Sequence, residues 1–374
     1  MAFMEKAKIV VIGAGIVGLA IAAKLSEHHE GVMVLEKNKR YGLETSSHNS
    51  GVIHSGIHYP KGSLKATLCV KGNSMIYEIC RKYRIPYKRL GKLTVATGDA
   101  EIRALENLLK MGEENNVEGM KMLDSQGAKL MEPNIRVERA LYTPSTGIVE
   151  PDDLMQYFLG RLIENGASVS YETEVTGLRD TDSEYEIFGM SANTNFAIQA
   201  ETVVNCAGLY ADRIASMVGL DVDRLGYRQH YYKGDYFRIT GSAPVNMLVY
   251  PVPKGAGLGI HLTPDMSGSV KMGPNAYPIN RIDYRVESAE DEFRNDVKRY
   301  MPSITNKIIQ PDSSGIRPKL VARKDGFADF IIRHEADHNL FGFINLIGIE
   351  SPGLTSSPAI ADYVLEMYEN EIRA

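Results

Sequence analysis

Three glycines in Gly13-Ala14-Gly15-Ile16-Val17-Gly18 are the first residues whose spacing implies chemistry. In G-x-G-x-x-G the first glycine permits a tight strand-to-helix turn. The second leaves room for a phosphate against the backbone, and the third lets helix and strand pack closely. The helix start then offers free N–H groups and a positive dipole end to anionic oxygens. Glu36 lies 18 residues beyond Gly18, where a carboxylate accepts hydrogen bonds from ribose hydroxyls. The flanks give this spacing its weight. Lys8 to Ile12 is a short β-branched run suited to a strand buried on both faces. Leu19 to Leu25 is rich in helix formers, and Gly31 to Leu35 reads as a second buried strand. Together they predict a dinucleotide site, with its phosphates over the Gly13-Ala14-Gly15 turn and the helix start.

The segment after Glu36 separates FAD from NAD. Lys37 to Gly42 leads into Glu44-Thr45-Ser46-Ser47-His48-Asn49-Ser50-Gly51, a hydroxyl-rich loop where a plain NAD unit would begin a helix. Such a loop supplies donors to a second phosphate and to a flavin edge. Glu201 to Gly208 is another strand running into a glycine turn, placing Ala207 and Gly208 beside the same cofactor. Gly348 to Thr355 is a third glycine-containing loop ahead of a helix expected over Ala359 to Glu371. No second G-x-G-x-x-G exists. Gly255 to Gly259 has the wrong spacing and reads as a turn, so one nucleotide site is expected.

The elements that must position these residues fit a chain of 374 residues, long enough for two packed domains. A net charge of -5 gives no reason to expect a nucleic-acid partner. Cys69, Cys80 and Cys206 form neither an even set nor a C-x-x-C pair, which fits a reducing cytoplasm. No apolar run is long enough to span a membrane, and Ile9 to Ile12 is too short for a secretion-signal core; peripheral membrane contact stays open. Lys92 to Thr97, Asn246 to Val252, Leu258 to Thr263 and Ser269 to Gly273 read as strands, and Glu101 to Glu114 as an amphipathic helix.

The glycine motif, the acid at 36, Cys206-Ala207-Gly208, Gly315-Ile316-Arg317-Pro318 and the last glycine loop resemble the D-amino-acid oxidase/glycine oxidase superfamily of flavoproteins. Within it, His48 to Ile57, Ser63-Leu64-Lys65-Ala66 and Leu68-Cys69-Val70 are similar to L-2-hydroxyglutarate dehydrogenases and oxidases. So are Gly147-Ile148-Val149, Lys233-Gly234-Asp235-Tyr236, Tyr250-Pro251-Val252-Pro253, Gly273-Pro274-Asn275-Ala276 and Thr355-Ser356-Ser357. Two positions depart: Lys233 replaces the usual arginine of its block, and Gly315 to Pro318 is closer to the amine-oxidase branch. The resemblance implies an α/β fold: a Rossmann-like FAD domain with a parallel sheet from 1–90, 145–222 and 312–374. A second, α+β substrate domain from 91–144 and 223–311 carries a mixed, largely antiparallel sheet. It implies FAD contacts from Gly13, Gly15, Ile16 and Val17 at the pyrophosphate, Glu36 at the adenosine ribose, and Val175 at the adenine through its backbone. Thr45, Ser46, Asn49 and Ser50 are implied along pyrophosphate and flavin, and Gly353, Leu354 and Thr355 at the pyrimidine end. Lys37, Ser47, Gly51 and Gly315 complete the expected cofactor set.

Oxidising a 2-hydroxy acid needs a cation for the carboxylate, a base for the hydroxyl proton and an oriented α C–H. Arg317 is the expected carboxylate anchor, since a guanidinium matches a carboxylate with paired hydrogen bonds. Lys233 is expected at a second acidic group. His54 is the expected base and His261 the second candidate. His48 stands in the same loop, with a covalent flavin link as an open alternative. The alternatives on this scaffold are a glycerol-3-phosphate dehydrogenase, an amino-acid or amine dehydrogenase, or a non-catalytic flavin carrier. Oxygen, a quinone or an electron-transfer protein remain open as electron acceptor. His334-Glu335-Ala336-Asp337-His338 matches the zinc-protease pattern, but its strand-like flanks and turn residues predict a hairpin and no metal.

Overall fold

The computed structural model describes residues 5–181, 184–252, 259–321 and 326–373. Val10 and Val11 have no solvent exposure, and the strand holding them, Glu5–Ile12, lies between two parallel neighbours, Val32–Leu35 and Thr194–Asn205. Ser168–Ser170 and Phe343–Ile347 extend the parallel set on either side. Antiparallel strands Thr173–Asp180, Tyr185–Ser191 and Ile331–His334 complete eight strands among the described residues. Helices Ile16–Ser26, Pro151–Glu164 and Gly353–Met367 share one apolar core on this sheet. This is the expected α/β architecture.

The second sheet has nine described strands and is mixed. Its pairings are antiparallel except Leu248–Pro251 beside Lys92–Ala96. The longest pairing joins His230–Ile239 to Ile309–Lys319, with Gly234 opposite Gly315 and Tyr232 opposite Arg317. Ile309–Lys319 therefore runs across the boundary expected at 312 while staying in this sheet. A separate core around Leu93, Phe237, Phe293 and Tyr300 backs it.

Strands are observed at Lys92–Ala96, Leu248–Pro251, Leu262–Pro264 and Val270–Met272, and the first amphipathic helix spans Asp99–Glu114. The turn expected at Gly255 to Gly259 lies, up to its last residue, outside the described residues. The last helix begins at Gly353, six residues before the expected Ala359, and contains Pro358. A proline leaves the carbonyl four residues back without its donor. Here Ser357 Oγ donates to that carbonyl, Leu354 O, at 2.9 Å, so the helix continues through the proline.

Candidate active site

The glycine motif does what its spacing predicts. Gly13 has φ +106°, and a Cβ there would lie 2.5 Å from Cys206 O. A Cβ on Gly18 would lie 2.0 Å from Gly13 O, so helix and turn touch only because the side chain is missing. The helix carries no acid in its first turn; Ile16 N–H donates to Ser46 Oγ at 2.9 Å. Glu36 is buried, and its carboxylate accepts from Ala14 N–H and from Asn38 N–H and Nδ2, each at 2.8 Å.

Two adjoining cavities, of about 1290 and 1080 Å³, share Gly15, Thr45, Ser46, Cys206 and Gly208. They form one elongated cleft past the carboxyl ends of the central strands, where open α/β sheets hold ligands. The inner end is lined by Gly13, Glu36, Lys37, Val175 and Ala207. The outer end is lined by Ile16, Val17, Asn49, Ser50, Gly315, Gly353 and Leu354, together with His54, His261 and Arg317. Residues far apart in sequence thus converge as expected, and the donors fit an FAD. Glycine backbone and a helix N-terminus stand midway, a buried carboxylate at one end and a glycine loop at the other.

Some expected cofactor residues stand outside the lining. Ala14 is buried, with its N–H on Glu36. Ser47 is exposed and donates to Glu44 O. Gly51 sits against Val149 O with φ +65°. Thr355 is fully buried; its Oγ1 accepts from His54 N–H at 2.9 Å and donates to Val52 O. These four support the wall rather than form it.

Lys233 is corrected more sharply. Successive strand residues point to opposite faces. Gly234 and Tyr236 line the cavity, so Lys233 points away, and its ammonium lies 3.3 Å from Glu287. The expectation of a distal anchor at Lys233 came from the motif, and the motif does not contain the strand register that sets which face the lysine takes.

The outer cavity is cationic. Arg317 has no carboxylate partner among the described residues, and the only acid in the lining, Glu350, is held by buried Lys65 at 3.0 Å. His54 is clamped by Thr355 at its N–H and by Asn73, which donates to its carbonyl at 2.9 Å. Its Nε2 lies 3.2 Å from Ser351 Oγ. Burial, with Lys92 and Arg317 nearby, pushes His54 down to about 3, so the ring is neutral at physiological pH. His261 stacks on Tyr250, with ring centroids 3.5 Å apart. His48 lines the cavity and stacks on Tyr284 at 3.8 Å. Tyr284 in turn donates to Glu44, which pairs with Lys37.

Sequence reading missed Tyr236 and, above all, Lys92. A lysine opening the otherwise uncharged strand Lys92–Ala96, buried throughout, was the available signal. His58 lies beside it, with Nε2 3.2 Å from Lys92 Nζ. The zinc-like motif resolves into a strand end and a turn. His334 Nε2 accepts from Gly342 N–H, His338 pairs with Glu335, and no metal-holding cluster occurs among the described residues. No described helix is long and apolar enough to cross a membrane.

Comparison with known proteins agrees with this geometry. The FAD dependent oxidoreductase family matches residues 8–367. The chain is 40% identical to the mitochondrial L-2-hydroxyglutarate dehydrogenase of Arabidopsis thaliana over 97% of this chain and 84% of that one. It is 33% identical to the glycerol 3-phosphate dehydrogenase of Caloramator mitchellensis over 97% of this chain and 74% of that one. Among solved structures, the FAD-bound L-alpha-glycerophosphate oxidase of Mycoplasma pneumoniae superposes with TM-score 0.85 at 27% identity, covering 98% of this chain and 95% of that one. From a GxGxxG turn, a buried acid ending the second strand, an elongated cleft and these similarities, the chain belongs to the FAD-dependent oxidoreductases of the D-amino-acid oxidase type.

Proposed function

We propose that this enzyme oxidises the α-carbon of a 2-hydroxy acid, with L-2-hydroxyglutarate the favoured substrate and 2-oxoglutarate the product. The observation that carries this reading is the Arg317 guanidinium in a cavity where the one lining carboxylate among the described residues is already paired. Such a cavity attracts an anionic substrate. Forty per cent identity to a relative named for this substrate supports the choice.

FAD supplies the hydride acceptor; the chain supplies position and proton handling. Arg317 would hold the α-carboxylate by paired hydrogen bonds. His54, neutral in the empty site, would accept the hydroxyl proton at Nε2 once the substrate hydroxyl takes the place of Ser351 Oγ at that nitrogen. His261, fixed by its Tyr250 stack, would bound the substrate on its other side. Gly13, Gly15, Ile16 and Val17 would meet the pyrophosphate, and Glu36 the ribose. Gly353 and Leu354 would close the flavin end. We assign the flavin unit to 1–90, 145–222 and 312–374 and the substrate unit to the remainder, with the partition near 312 following the cavity rather than the sheet. Oxygen, a quinone or an electron-transfer protein would take the electrons onward, and the three unpaired thiols suit a reducing compartment.

The test is anaerobic bleaching of the bound flavin by a substrate panel. L-2-hydroxyglutarate should bleach it fastest. Failure of every 2-hydroxy acid would overturn the reading. Glycerol 3-phosphate belongs in the panel because a relative and a solved structure carry that activity in their names, and its phosphate suits the same cations. Glycine, sarcosine and proline test the amine branch.

A further inference from the structure

Lys92 is 1% exposed, and no ion pair joins it to any acid among the described residues. A buried ammonium without a counter-ion is strongly unfavourable, and an anion brought beside it offsets that cost. Its surroundings confirm the deficit. The 54–60 loop presents His54 and His58, and helix Leu64–Tyr83 presents Cys69. Strand Ile309–Lys319 presents Arg317 beyond His54. Strand Leu248–Pro251 presents Tyr250, whose ring centroid is 5.2 Å from Lys92 Nζ, and His261 stacks behind that ring. Every one of these groups is neutral or positive. Burial raises the Cys69 thiol and the Tyr250 phenol, keeping both protonated, and lowers both histidines.

Lys92 itself does not line the cavity, but the groups it touches separate it from the cavity by one layer. Tyr250 and His261 are wall residues, and His54 is the proposed base. Its ammonium donates to His58 Nε2 at 3.2 Å, which leaves the His58 proton on Nδ1. With Lys233 turned away to Glu287, the cavity's second cation is missing from the position where sequence placed it.

We propose that Lys92 is that second cation: a positioning charge, shared with His58, that with Arg317 tunes the cavity to doubly anionic substrates. This rests on the reading of the cavity as a site for an anionic hydroxy substrate, and names its charge class. Burial lowers Lys92 to about 8, so an empty site loses this charge as pH rises through 8. A bound dianion favours the charged form, and binding above pH 8 then draws in a proton.

The probes are glutarate, a dianion that cannot be oxidised at the α-carbon, and butyrate, its monoanionic counterpart. Each is titrated into FAD-loaded enzyme from pH 6.5 to 9.5 and followed by the flavin absorbance spectrum. In the unaltered enzyme, glutarate affinity is constant below pH 8 and falls about tenfold per unit above it. At pH 8.5, binding takes up most of one proton, read with an indicator dye. Lys92→Met weakens glutarate at pH 7 by tenfold or more, abolishes the pH slope, and changes butyrate no more than threefold. Lys92→Arg keeps the neutral-pH affinity and abolishes the slope, because arginine does not titrate in this range. The proposal is overturned if Lys92→Met keeps both affinity and slope, if the unaltered enzyme takes up no proton, or if glutarate fails to bind at pH 7. The proton measurement needs no variant and so survives a misfolded one. Failure of the substrate assignment looks different: 2-hydroxy acids leave the flavin oxidised while the glutarate pattern persists.

Discussion

The two ends of the cleft are built by different means. The nucleotide end uses main chain: a glycine turn, a helix start and one buried carboxylate tied to Ala14 and Asn38. The opposite end uses side chains delivered by separate elements, with Arg317 from one strand and His54 from a loop, and with Lys92 behind the wall on another strand. A backbone site tolerates almost no added atom. A side-chain site tolerates shape changes but depends on each charge. The contrast teaches that local geometry limits one end and electrostatics the other.

The sharpest break of this contrast is Gly18→Ala. Its Cβ would sit 2.0 Å from Gly13 O, a main-chain atom, at a cost of about 3 kcal/mol. The expected product is FAD-free and thermally weakened protein; a yellow variant of normal stability would contradict the backbone account. At the other end, His54→Asn should keep FAD and lose roughly 10²–10⁴-fold in kcat. In the unaltered enzyme, kcat/KM should show no break near the reference imidazole value of about 6.5, since His54 is held far below it. A break there that vanishes in the variant would remove His54 as a buried base. Arg317→Met should lower kcat/KM by roughly 100- to 1,000-fold, about 3–4 kcal/mol, again with full FAD content.

Lys92 supplies a test on stability. Folded Lys92 releases its proton near 8, whereas the unfolded side chain holds it to about 10.5. Between these values the unfolded chain carries more protons, so folding stability gains as pH climbs through that window. Lys92→Met should therefore stabilise the fold below pH 8, by on the order of 3 kcal/mol at most, and lose that advantage toward pH 10.5. Denaturant melts at pH 7 and pH 10 read this directly. The smallest effect belongs to Lys233→Met, which should change KM for L-2-hydroxyglutarate less than threefold, because its partner Glu287 is half exposed and outside the cavity. A tenfold rise in KM would restore Lys233 as the distal anchor.

Legibility in the sequence followed the same division. Gly13, Gly15, Gly18 and Glu36 act through contiguous geometry, so their roles could be read from spacing. The hydroxyl-rich loop pointed correctly to Thr45, Ser46, Asn49 and Ser50 at the cleft, but also to Ser47, whose side chain faces solvent. Arg317 and His54 came from resemblance and chemistry, and the fold brings both to one cavity. Lys233 and Lys92 exchanged places: the lysine in the similar motif is buried on the strand face away from the cavity, and one opening a strand of the second sheet lies behind the cavity wall.

By itself, then, the sequence determined the α/β class, the nucleotide end and the identity of the groups available for catalysis. Those properties depend on residues close together in the chain and on period-two or helical patterns. Only the tertiary structure decided which of two lysines lies one layer behind the cavity wall, and that the histidine ring at 54 is kept neutral. Strand register fixes the first, because one residue reverses a side chain's face. Burial beside distant cations fixes the second, because a field is summed over elements that the linear chain keeps hundreds of residues apart.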